Sequence, residues 1–213
     1  VSEQSGQIAA NGKADTLTIT GPDGNIRVFA DGITPPPKLV LVGTGHDVAP
    51  AVDLGKKNDF KVSVVGFRGA QADSERFPKA DHVTSTSPAV IRDAVDIDED
   101  TYVVVMTHNF IDDRLAVDEL VKSATSYIGL MGPRNRFEEM LTEFEAEGRE
   151  FSQAELESVY TPVGLDLGGG TPYQIAHSII SEVLAIHNDR QPRQLKKRDG
   201  PIHRRAEDNQ SSS

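Results

Sequence analysis

Four short segments carry side chains and glycines that could do chemistry. Gly43-Thr44-Gly45-His46-Asp47 sets two glycines one residue apart behind an apolar run. Gly43 permits a tight turn, and Gly45 lets the backbone come close to a phosphate facing the N–H groups of a following helix. Position 48, where a dinucleotide-binding turn carries its third glycine, is Val. The segment is therefore an altered ligand turn or a plain strand–helix connection. Met106-Thr107-His108-Asn109 gathers a hydroxyl, an imidazole and an amide where an apolar run stops. His108 could donate to a ligand, act as acid and base, or be a loop residue satisfied internally. Gly132-Pro133-Arg134 opens a helix with an arginine, which opposes the helix dipole and points to another task such as anion binding. Gly168, Gly169 and Gly170 stand between Asp166 and Thr171, and their amides could cradle a phosphate or a pterin-sized polar group.

One further position bears on the ligand. An acid that binds a ribose diol is expected about 20 residues beyond the glycine turn. The sequence there reads Val-Val-Gly66-Phe-Arg68. The diol loses its acceptor at Gly66, while the guanidinium fork of Arg68 suits a phosphate or stays a solvated charge.

These residues need a scaffold that brings them to one rim. From Lys38 the chain alternates apolar runs with helical patterns: strands over "KLVLVG", "KVSVV", "DHVTS", "TYVVVMT" and "SYIGLMG". Helices are expected over Val48–Lys57, from Ser87-Pro88, over Asp112–Lys122 and from Arg134 to about Glu147. Ser152 to Glu155 is a capping box, and Thr171 caps a final helix whose Ile175, Ile179, Val183 and Ile186 form an apolar stripe. Such alternation predicts an α/β, Rossmann-like doubly wound parallel sheet, with ligands beyond the carboxyl ends of its strands. Residues 38–189 form this domain. Residues 1–37 are a polar segment, a β-hairpin pairing Leu17 and Ile19 with Ile26 and Val28, and a stiff proline linker, a remnant of a preceding domain. Residues 190–213 are a flexible tail, basic and then serine-rich.

Composition removes several classes. The chain has 213 residues, no cysteine and a formal charge of -11. Disulfides, thiolate metal sites and a covalent sulfur-carrying role are excluded for this chain. The negative charge opposes nucleic-acid binding; it suits a salt-rich cytoplasm, as it suits many ordinary proteins. No apolar run approaches the ~20 residues of a membrane span, and no signal-peptide pattern opens the chain, so a soluble cytoplasmic protein is expected.

Taken in order, "GTGHDVAP", "FRGAQADSERFPKADHV", "VVVMTHNF", "YIGLMGPRNR", "TPVGLDLGGGTPYQIAHSIISEVLA" and "DGPIH" resemble the XdhC/CoxI family over about Lys38 to His203. "GTGHDVAP" and "GPIH" look more like the CoxI branch. The resemblance implies an accessory protein of xanthine dehydrogenase or carbon monoxide dehydrogenase. Such a protein binds molybdenum cofactor (molybdopterin), protects it during sulfuration by a cysteine desulfurase, and aids insertion into an apo molybdenum hydroxylase. Homodimers are common in the family. The resemblance places ligand-facing residues at Gly43, Gly45, His46, Asp47, Thr107, His108, Asn109, Gly132, Pro133, Arg134, Asp166, Gly168, Thr171 and Pro172. Two departures stand out: family members commonly have an Asp-His pair where this chain has Gly66-Phe67, and their N-terminal domain is not visible here.

A cofactor-binding chaperone is thus the first expectation. The alternative is an NAD(P)-binding oxidoreductase using His108 or Asp166 in acid–base work, with Arg68 favouring NADPH. The third is an interaction module whose cleft has decayed.

Overall fold

The computed structural model describes residues 15–21, 24–69 and 72–197. The expected polar start, the centre of the hairpin turn and the "DGPIH" segment lie outside the described residues. Strands β1 (Asp15–Gly21) and β2 (Gly24–Ala30) pair antiparallel, with Leu17 opposite Val28 and Ile19 opposite Ile26. They form a two-stranded sheet of their own on which Ile26 and Phe29 are exposed.

The second sheet is built from β3 (Lys38–Val42), β4 (Lys61–Gly66), β5 (His82–Ser85), β6 (Thr101–Val105), β7 (Tyr127–Leu130) and β8 (Val159–Tyr160). Its order is β5-β4-β3-β6-β7-β8 and every pairing is parallel. That is the doubly wound order in which the chain reverses direction between its first and fourth strands, here β3 and β6. The crevice left there sits beyond Val42 and Val105, which lie side by side in register.

Helices cover both faces, so the central strands are buried on both sides and read as unbroken apolar runs. On one face α1 (Val48–Lys57) and α6 (Pro172–His187) place Val52, Ile179 and Val183 against Leu39, Leu41, Val62 and Val104. On the other lie α2 (Ile91–Ala94), α3 (Phe110–Leu120) and α4 (Arg134–Ala146). There Ile91, Val117, Leu120 and Met140 meet Val40, Val103, Val105 and Ile128. Each fully buried Val or Leu contributes roughly 1.5–3 kcal/mol by leaving water. Close packing of α1 does not need the glycine absent at position 48. Gly55, two turns further on, supplies it: a Cβ there would meet Leu39 at 2.8 Å and Val62 at 3.0 Å.

Caps set the helix starts. Both hydrogen bonds of the capping box are made at Ser152 with Glu155, opening α5 (Gln153–Glu157), and at Thr171 with Gln174, opening α6. Three elements differ from expectation. The stretch after Ser87 is a 3₁₀ turn, Pro88–Val90, followed by the short α2, and Ser87 makes no side-chain cap. The next helix, α3, starts at Phe110 rather than Asp112 because the Asn109 side chain accepts the Asp112 N–H at 3.0 Å and caps the helix two residues earlier. A two-residue strand, β8, completes the sheet without any periodicity to announce it.

Candidate functional site

The crevice between β3 and β6 is lined by the glycine turn and by the segment after β6. Gly43 has φ +147, and a Cβ on it would lie 2.5 Å from the Met106 carbonyl oxygen, so the two chain segments touch through this glycine. That approach brings Asp47 and His108 together across 61 residues of sequence. His108 Nε2 lies 2.9 Å from Asp47 Oδ2; the imidazole is half exposed and the carboxylate 6% exposed. His108 holds φ +61, a left-handed conformation that a non-glycine residue keeps only when its surroundings fix it. The second oxygen, Asp47 Oδ1, is buried without a hydrogen-bond partner among the described residues. Such an acceptor destabilises by roughly 1–3 kcal/mol unless something donates to it.

This turn is a poor phosphate cradle. Asp47 precedes α1 but its side chain caps no helix N–H. A Cβ at Gly45 would meet Asp47 Oδ1 at 2.7 Å, so the carboxylate folds over the ground a phosphate would use. Pro50, in the first turn of α1, removes one of the N–H groups an anion would take. His46 is exposed beside them.

The ribose position is filled as well. A Cβ at Gly66 would meet Ala72 at 2.8 Å and Thr44 at 2.9 Å, so packing leaves no room there for an acidic side chain. The segment from Ala72 to Lys79 is pinned over this spot. Arg76 donates to the Thr44 carbonyl at 3.0 Å, and Lys79 pairs with the nearly buried Asp53. Hydrogen bonds from Lys57 and then Lys79 pull the Asp53 carboxyl down to about 2. A groove of about 290 Å³ opens beside it, between Pro50, Val52, Phe77 and Tyr173. Arg68 is ion-paired: its guanidinium lies 2.8 Å from Asp112 in the first turn of α3, joining the loop after β4 to the helix after β6.

Several of the expected residues hold structure. Thr107 donates to Asp113, a carboxylate 1% exposed, and accepts the Asn109 N–H at 3.1 Å. Arg136 closes this chain on the other Asp113 oxygen at 2.6 Å. Gly132, at φ +128, makes way for it, since a Cβ would sit 2.8 Å from Arg136 Cδ. Asp113 and Arg136 were missed in the sequence; the cap signal at Asn109 would have put Asp113 on the first inward turn of α3. Pro133 precedes α4, and Arg134 is exposed with no ion pair among the described residues.

The glycine run is different again. The Gln174 side chain accepts from Gly170 N at 3.0 Å and Thr171 N at 3.1 Å, so two of the expected cradle amides are taken. Gly168 has φ +68, Gly169 packs on Gln174, and Asp166 and Leu167 are exposed. The loop is tethered at Gly164, whose N–H donates to Glu182 at 2.9 Å while Tyr127 donates to the same oxygen at 2.7 Å. Burial, and then the Glu182 charge, push the Tyr127 phenol well above its usual range. No three His, Asp or Glu side chains gather as a metal-ligand set among the described residues.

Comparison with known proteins decides the family. The model of the XdhC Rossmann domain matches residues 39–183. The chain belongs to the XdhC family. Two relatives of this XdhC domain are each 30% identical to it. One, from Bacillus subtilis (strain 168), is described as a probable xanthine dehydrogenase subunit; the match covers 79% of this chain and 48% of the relative. The other is the uncharacterized protein YqeB of Escherichia coli (strain K12), over 86% of this chain and 33% of the relative. The XdhC chain thus spans about half or a third of their lengths. A Bacillus halodurans crystal structure described as a xanthine dehydrogenase has the same fold, with TM-score 0.66 at 22% identity over 88% of this chain and 66% of that one. Among the described residues no helix is long and apolar enough to cross a membrane.

Proposed function

We propose that this XdhC domain binds molybdenum cofactor as cargo and assists its maturation and insertion into an apo molybdenum hydroxylase of the xanthine or carbon monoxide dehydrogenase type. The observation that carries this reading is the switch-point crevice, where a buried Asp47 oxygen has no partner among the described residues beside a half-exposed His108. Family membership and the Bacillus subtilis relative, named for xanthine dehydrogenase, support it. The fit to a pterin is chemical: a pterin offers ring N–H donors, and the crevice offers an acceptor without one. Arg134, exposed at the start of α4 and without an ion pair among the described residues, could meet an anionic group.

Lacking cysteine, the chain needs sulfur from a partner, and a cysteine desulfurase is the donor in this reading. It also takes the protein as cytoplasmic, dimeric and nearer the CoxI branch by its "GTGHDVAP" motif. The NAD(P) alternative finds no support at Gly66 or at Asp47, where a ribose diol and a pyrophosphate would have to fit.

The test is retention. Protein incubated with molybdopterin and passed over a desalting column should carry pterin fluorescence after oxidation, and release it to an apo-hydroxylase. Protein that retains none overturns the reading.

A further inference from the structure

The crevice holds a demand that the described residues leave unmet. Asp47 is 5% exposed, its Oδ2 takes His108 Nε2 at 2.9 Å, and its Oδ1 takes nothing among the described residues. It stands at the start of the ten-residue α1, facing Gly45 where a helix N-terminus would otherwise favour an anion. A carboxylate accepts hydrogen bonds and cannot donate, so it repels phosphate and favours a ligand edge carrying N–H groups. The geometry of two oxygens side by side suits two parallel donors. His108, half exposed and held in the left-handed region beside this buried carboxylate, is the group that must move aside before a ligand reaches either oxygen.

We infer that Asp47 is the specificity-determining residue of the crevice and reads a 2-amino-4-oxopyrimidine edge. The exocyclic amine and the adjacent ring N–H of that edge meet the two carboxylate oxygens as His108 turns away. This rests on the cofactor reading above, since a pterin carries that edge; guanine carries the same one. No bond is made or broken beyond hydrogen bonds.

The test uses the full chain. Neopterin is titrated by its own fluorescence, with GMP and AMP as competitors. Neopterin should bind, GMP should compete, and AMP, which lacks the edge, should not. The near-isosteric Asp47→Asn replaces one acceptor by a donor and should weaken neopterin at least tenfold. In the unaltered protein the imidazole nitrogen signals of His108 should shift as neopterin is added, a readout that does not depend on the variant folding. Absence of neopterin binding, equal competition by AMP, or unchanged affinity in Asp47→Asn overturns the inference. GMP binding tighter than neopterin upholds Asp47 as the reader and overturns the pterin as its source. If Asp47→Asn retains molybdopterin as well as the unaltered protein, the inference falls while the cargo reading stands. If the unaltered protein binds neopterin yet retains no molybdopterin, the cargo reading falls and Asp47 keeps its role.

Discussion

The two glycine-rich segments at the rim of the sheet look alike on paper and behave oppositely. In the turn after β3, Gly43 and Gly45 are required by contact, one against Met106 and the other against Asp47. What that crowding leaves over is a buried oxygen with no donor among the described residues. In the loop before α6, Gly168 and Gly170 would meet nothing within 4 Å, and the amides of Gly170 and Thr171 are already taken by Gln174. Glycine content alone therefore does not separate a ligand loop from a packing turn, and the proposed site rests on the polar group left over in the turn after β3.

This contrast fixes a ranking of substitutions, each read by chemical denaturation. Gly43→Ala combines a positive φ with a backbone clash and should destabilise by on the order of 3 kcal/mol; a loss below about 1 would mean the strands do not touch there. Gly45→Ala collides only with the end of a side chain, so a loss of about 1–2 kcal/mol is expected. Its imidazole spectrum should also show His108 released from Asp47. Thr171→Ala removes one half of a capping box and should lower stability by about 1 kcal/mol. Gly170→Ala, in open space, should stay within about 0.5 kcal/mol. A larger loss there would erase the distinction between the two segments.

Acid offers the last and smallest test. The folded Asp53 carboxyl sits near 2, below its unfolded value of 3.8. Its contribution is present above the unfolded value and is lost as pH falls from about 4 through 2. Unfolding curves of Asp53→Asn should consequently depend less on pH across that window than those of the unaltered chain. Equal dependence would mean that Lys57 and Lys79 do not stabilise this carboxylate, and that Lys79 does not tie the Ala72–Lys79 segment to α1 through it.

Much of the scaffold could be read directly. Strands β3 and β6 declared themselves because burial on both faces demands unbroken apolar runs, and α1 begins and ends where its pattern does. The strand β8 was illegible since two residues carry no period. The early start of α3 was legible in principle: Asn109 precedes Asp112 by the three residues a cap requires. Within the site, the positions were readable but not the pairings. Asp47 and His108 meet only because the sheet order sets β3 beside β6. Gly66 looked like a missing acid, whereas Ala72 and Thr44 make it a packing requirement.

The sheet ends in strands of four and two residues, β5 and β8. Borders so short give a neighbouring molecule little unpaired backbone to extend in register, which guards an open sheet against edge-to-edge growth at high concentration. Assembly by strand addition to the large sheet is thereby disfavoured, and side-chain contacts are the better route.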